Sequence, residues 1–135
     1  MSLPFLRTTT NVIAVIGLAA LVVNGAELVL GTPYPLVDVN APFTGDFSPS
    51  LSSDGRDLFF MGYNRSGGLG DSDLWFASRS AGGEAFGEPV RLPAINSTGS
   101  DSNPDVTEDG LMLFFDSARP GTSGERDIWM SNRVS

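Results

Sequence analysis

Apolar positions along this chain fall into two regimes. Residues 12–23 form an unbroken run of twelve, VIAVIGLAALVV. From residue 33 onward they come in short bursts separated by Gly, Pro, Asp and Ser. No window in 33–135 keeps a 3.6-residue apolar period beyond about two turns. Short bursts between turn residues predict strands. The spacing predicts a short strand over 48–52, entered through Pro49, where a proline is tolerated. A tight turn follows at Asp54-Gly55. The next strand, DLFFMGY over 57–63, is apolar on both faces and is expected to be buried on both. A Gly/Ser loop over 64–72 leads to a third strand over 73–79, and a fourth, shorter strand is expected over 87–92.

The same pattern then returns. PSLSSDGRDLFF, from Pro49, aligns with PDVTEDGLMLFF, from Pro104, at an offset of 55, with six of twelve positions identical. DLWFASR, from Asp73, matches DIWMSNR, from Asp127, at 54, and Arg65 and Gly67 match Arg119 and Gly121 at the same offset. Upstream, Pro33, Leu36 and Asn40 match Pro89, Leu92 and Asn96 at 56. Repeat units are placed at about 33–88 and 89–135. Four-stranded units of this length, with an aromatic per strand, are the pattern of a β-propeller. The expected fold is all-β: one complete four-stranded antiparallel blade (48–92) and one incomplete blade (103–133), preceded by a helical signal segment. Residues 33–39 read as the last strand of a preceding blade.

The quoted segments, SPSLSSDGRDLFF with SDLWFASR and SNPDVTEDGLMLFFDSARPG with RDIWMSNR, resemble the WD40-like β-propeller repeat of the TolB type. The resemblance covers about 33–135. It implies an interaction platform in the cell envelope, without catalysis, that binds a protein or glycan. Propellers close with about 4–8 blades, so two units read as a truncated piece of a longer propeller or as a part that assembles with other chains.

The first regime reads differently. A run of twelve is short of the about 20 residues of a membrane span. With Arg7 before it and small residues after it, residues 1–26 read as a signal peptide cleaved after Gly25 or Ala26. An uncleaved anchor is the alternative, and only then would the membrane be a partner. Either reading places the remainder outside the cytoplasm, as a periplasmic or extracellular protein.

Composition narrows the chemistry. There is no Cys and no His, and the eight positive charges are all Arg. Disulfides, thiolate zinc sites, histidine-based triads and lysine Schiff bases are excluded. A net charge of −8 disfavours nucleic acid. No cofactor motif appears.

The recurring residues Pro49, Asp54, Gly55, Arg65, Asp73, Trp75 and Pro104, Asp109, Gly110, Arg119, Asp127, Trp129 are read as a structural motif. Asp-Gly supplies the turn. Asp73 and Asp127 are expected to accept backbone hydrogen bonds or to pair with Arg65 and Arg119. The arginines, including Arg79 and Arg133, are expected to strut one blade against the next. Asp71 and Asp73, with Glu125 and Asp127 at the matching places, are candidate Ca²⁺ ligands. Asn64-Arg65-Ser66 and Asn96-Ser97-Thr98 are glycosylation sequons. The competing function is a carboxylate glycoside hydrolase, for which Asp116 is the main carboxylate without a counterpart in the repeat.

Overall fold

A computed structural model describes residues 20–23, 26–121 and 123–134. The chain divides into two compact units, Met1–Tyr34 and Pro35–Ser135. In the first, strand β1 (Ala20–Val23) pairs antiparallel with β2 (Ala26–Val29). The last four residues of the long apolar run are therefore a strand, in keeping with the β-branched Val22 and Val23. The rest of the expected helical signal segment lies outside the described residues.

The second unit is all-β and holds two antiparallel sheets. The first has the order β3 (Gly45–Leu51), β4 (Asp57–Tyr63), β5 (Ser72–Ser78), β6 (Val90–Arg91). The second has the order β7 (Asp101–Val106), β8 (Met112–Ser117), β9 (Asp127–Asn132). The expected fourth strand of 87–92 shrinks to two residues. The chain turns immediately after it, with Ile95 and Asn96 both donating to Leu92 O at 3.1 and 3.0 Å.

Residues 33–39, expected as a strand, are not one. Val39 and Asn40 donate to Leu36 O at 3.0 and 2.9 Å, which closes a turn. This is the turn of Leu92–Asn96 repeated at the register the sequence gives. Leu36 and Val39 were legible as apolar, but their spacing of three serves a turn, which drops Val39 into the core.

The repeat extends to backbone detail. Both sheets break register at matching places, between Phe47 and Ser50 and between Ser102 and Asp105. Pro49 and Pro104 sit inside these bulges, where a missing N–H breaks no ladder bond. Ser48 and Asn103 there take left-handed φ of 49° and 51°. The turns at Asp54-Gly55 and Asp109-Gly110 also coincide. Ser52 Oγ and Thr107 Oγ1 donate to the aspartates at 2.7 and 2.6 Å, and the glycines take φ of 71° and 69°. Accepting these bonds holds both carboxyls below the ordinary aspartate range: first the Ser52 or Thr107 hydroxyl, then the N–H of Arg56 or Leu111.

Two cores result. Leu58, Phe60, Trp75 and Ala77 on one face of the first sheet pack with Val39 and Phe86. Leu74 from the opposite face packs with Leu113 and Phe115 of the second sheet, joined by Phe59, Leu92, Ile95, Val106 and Trp129. The strand expected to be buried on both faces is asymmetric. Leu58 and Phe60 are buried, whereas Phe59 and Met61 are half-buried, Phe59 against the second sheet.

Candidate interaction surface

Two of the recurring arginines, Arg65 and Arg119, lie in matching cages. Arg65 pairs with Asp46 at 2.8 Å and its guanidinium lies over Phe60 and Trp75, 5.3 and 4.8 Å from the ring centroids. Arg119 pairs with Asp101 at 2.9 Å and lies over Phe115 and Trp129 at 5.1 and 4.7 Å. A planar cation between a carboxylate and two aromatic faces is well matched to guanidinium and not to ammonium. The partners are Asp46 and Asp101, not the expected Asp73 and Asp127. Those two cap their own loops. Asp73 Oδ2 accepts from Leu69 and Gly70 N–H at 2.8 and 3.2 Å, and Asp127 Oδ2 accepts from Ser123 N–H. Sequence reasoning missed Asp46 and Asp101, although Asp-x-x-Pro recurs there at the same offset of 55.

The expected struts are mostly internal. Arg79 donates to Gly55 O and Glu84 O within its own sheet. Arg133 does bridge the sheets, pairing with Asp57 at 2.8 Å. The hydroxyls add to this joint: Ser48 Oγ donates to Asn103 Oδ1, and Ser53 Oγ to Glu108 O, at 2.8 and 2.7 Å.

No group of three or more His, Cys, Asp or Glu side chains stands close enough to hold a metal among the described residues. Trp75 is buried and its ring is covered by Arg65, which leaves no free face for a sugar to stack on. Asp116 accepts from Arg126 at 2.6 Å and from Asn103 Nδ2 at 2.8 Å, so its two oxygens serve contacts within the second sheet. The Asn96 sequon is closed as well. Asn96 is 9% exposed, and its amide donates to Leu74 O at 2.8 Å while its Oδ1 accepts from Leu74 N–H at 2.7 Å. Asn64 stays exposed in its turn with a φ of 51°.

Several apolar surfaces stay open among the described residues. A cavity of about 250 Å³ lies between the sheets, lined by Phe59, Phe76, Leu92, Val106 and Leu113, with Arg133 at its rim. It has no pair of facing carboxylates. On the far face of the second sheet Ile128 and Met130 are 82% and 52% exposed. On the edge strand β3 of the first sheet Phe47 and Leu51 are 51% and 49% exposed. A shallower groove beside them is lined by Leu36, Val39, Asn40, Leu58 and Phe60. These surfaces bury partners by area, not by chemistry. No protein-family model matches the chain, and no curated protein matches it.

Proposed function

We propose that the chain is an exported, non-catalytic β-propeller repeat protein of the WD40-like TolB type, acting as a protein- or glycan-binding scaffold in the cell envelope. The observation that carries this reading is the cage built twice, Arg65 with Asp46 and Arg119 with Asp101. A catalytic constellation is needed once per protein, whereas a framework element is needed once per blade. Arg65, Arg119, Asp46, Asp101 and Asp116 are engaged in framework contacts, and the cavity between the sheets is lined mainly by apolar side chains. A hydrolase would require two carboxylates facing one pocket.

A glycan and protein binding screen run beside a glycosidase assay tests the proposal. Binding without turnover is expected. Turnover abolished by Asp116→Asn would overturn it. Export is tested by intact mass, with the product expected to begin at Ala26 or Glu27. A species retaining Met1 in the membrane fraction would mean an anchor instead.

A further inference from the structure

We propose that this chain binds a second copy of itself head to tail, residues 35–40 of one copy completing the open edge of β9 in the next. The template for this joint is inside the molecule. Where the first sheet meets the second, residues 90–96 close the edge of β5. Val90 pairs with Phe76 and Arg91 with Trp75. Leu92 N–H donates to Leu74 O at 3.2 Å, and the Asn96 side chain then grips both the N–H and the O of Leu74. The Leu92–Asn96 turn packs Ile95 and Leu92 against Leu113 and Phe115 of the following sheet. One short segment thus finishes one sheet and covers the face of the next.

The chain carries this joint's two halves a second time, and among the described residues neither is paired along a strand edge. Residues 34–40 align with 90–96 at an offset of 56, with Leu36 and Asn40 identical to Leu92 and Asn96 and Val39 in the place of Ile95. Their turn is already formed, with Val39 and Asn40 on Leu36 O and Val39 seated on Leu58 and Phe60 as Ile95 is on Leu113 and Phe115. Asn40, unlike Asn96, is exposed, and its side-chain amide has no hydrogen-bond partner among the described residues. At the other end Ile128 matches Leu74 at an offset of 54 and holds the same place in its ladder, opposite Asp116 as Leu74 is opposite Met61. Leu74 is fully buried, whereas Ile128 is 82% exposed. No strand lies beyond β9 among the described residues.

The fit extends to the proline in the donor segment. Leu92 and Leu74 form a hydrogen-bonded antiparallel pair, so the next pair, Arg91 and Trp75, is non-bonded and the Arg91 N–H points away from β5. Pro35 stands at the Arg91 position. Its missing N–H therefore breaks no bond to β9. In the joint, Leu36 N–H donates to Ile128 O of the neighbour, and Asn40 spans the same residue's N–H and O. The exposed Ile128 and Met130 then meet the exposed Leu36 and Leu51. An open edge and an apolar face are covered by one event.

The contact joins unlike surfaces, so it propagates or closes into a ring. This joint deepens the scaffold reading by naming the partner, and only the ring size rests on the blade assignment: about 4–8 blades would mean two to four copies. The test uses the full exported chain and two variants at exposed positions, Asn40→Arg and Ile128→Arg. Sedimentation velocity at tens of micromolar is expected to show wild type larger than a monomer. Each variant alone has one blocked end on every copy and sediments as a monomer, with the wild-type circular dichroism spectrum. Mixed one to one, the variants form a dimer and nothing larger, because each supplies the end the other lacks. A monomeric wild type, variants that keep the wild-type size, or a mixture that stays monomeric would each overturn the joint. None of these outcomes bears on the glycan screen or the glycosidase assay, so failure of the joint and failure of the scaffold reading are separate results.

Discussion

Leu74 and Ile128 occupy the same place in two matching sheets, yet the first is fully buried and the second is 82% exposed. Trp75 and Trp129 diverge in the same direction, from 6% exposed to half-buried. The residue types are equivalent, the strands are equivalent, and the arginine cages have the same shape. The difference lies in what stands next to each sheet. A sheet of this kind has two apolar faces, and burial is conferred by neighbours. The two sheets form one experiment with an internal control: each substitution in the first has a matched substitution in the second, and the gap between the two measures the neighbour's contribution.

The widest gap is expected at the tryptophans and leucines. Trp75→Ala removes a buried ring that also roofs Arg65, and should destabilise by about 3–5 kcal/mol in urea unfolding of the dilute chain. Trp129→Ala should fall clearly below that value, and equal losses would break the comparison. Leu74→Ala should destabilise by about 2–5 kcal/mol, while Ile128→Ala stays within about 0.5 kcal/mol of wild type.

Asn96 and Asn40 sharpen the same point through hydrogen bonds. Asn96→Ala leaves the N–H and O of a buried residue without the partner that gripped both. The expected loss is on the order of 2 kcal/mol. Asn40→Ala should be silent, within about 0.5 kcal/mol, in dilute monomer. A destabilising Asn40→Ala would mean that its amide already has a partner within the chain.

Much of this organisation was legible in the sequence. Asp54-Gly55 and Asp109-Gly110 announce their turns because a left-handed glycine after a capping aspartate has few other uses. The strand Asp57–Tyr63 is bounded as its apolar run predicts. Other features were not readable by composition. The cage carboxylates Asp46 and Asp101 lie 19 and 18 residues from their arginines, and only folding shows which of several aspartates arrives there. Asn40 and Asn96 recur visibly, but a polar residue at a turn does not reveal that its amide clamps a strand edge. Residues 33–39 misled because a few apolar positions over so short a stretch fit a strand and a turn equally well. The candidate surface was legible in part: an unfinished second unit implies an open edge, but not the segment that fits it.

The smallest effect concerns the two Asp-Gly turns. Both aspartates titrate below their ordinary range in the folded chain, so the turns contribute stability that is complete above about pH 4 and is lost as pH falls through the lowered values. Ser52→Ala should raise the Asp54 titration, and Thr107→Ala that of Asp109, each towards the ordinary range. Carboxyl carbon chemical shifts followed against pH check this. The Asp54 carboxyl also has Arg56 at 3.9 Å, so it should stay the lower of the two after the hydroxyls are removed. Equal titrations in the two variants would show that this exposed pair contributes nothing.

Hydrogen exchange at two amides, Leu74 and Ile128, measured in one sample, tests most directly the claim that neighbours and not residue types set the fate of matched positions. In dilute solution the Leu74 amide, held by Asn96 Oδ1 at 2.7 Å, should exchange slowly, and the Ile128 amide, on the open edge of β9, should exchange fast. Raising the concentration into the range of assembly should slow Ile128 towards the Leu74 rate and leave Leu74 unchanged. An Ile128 amide as protected as that of Leu74 in the dilute chain, or one that stays fast while the chain associates, would contradict the account.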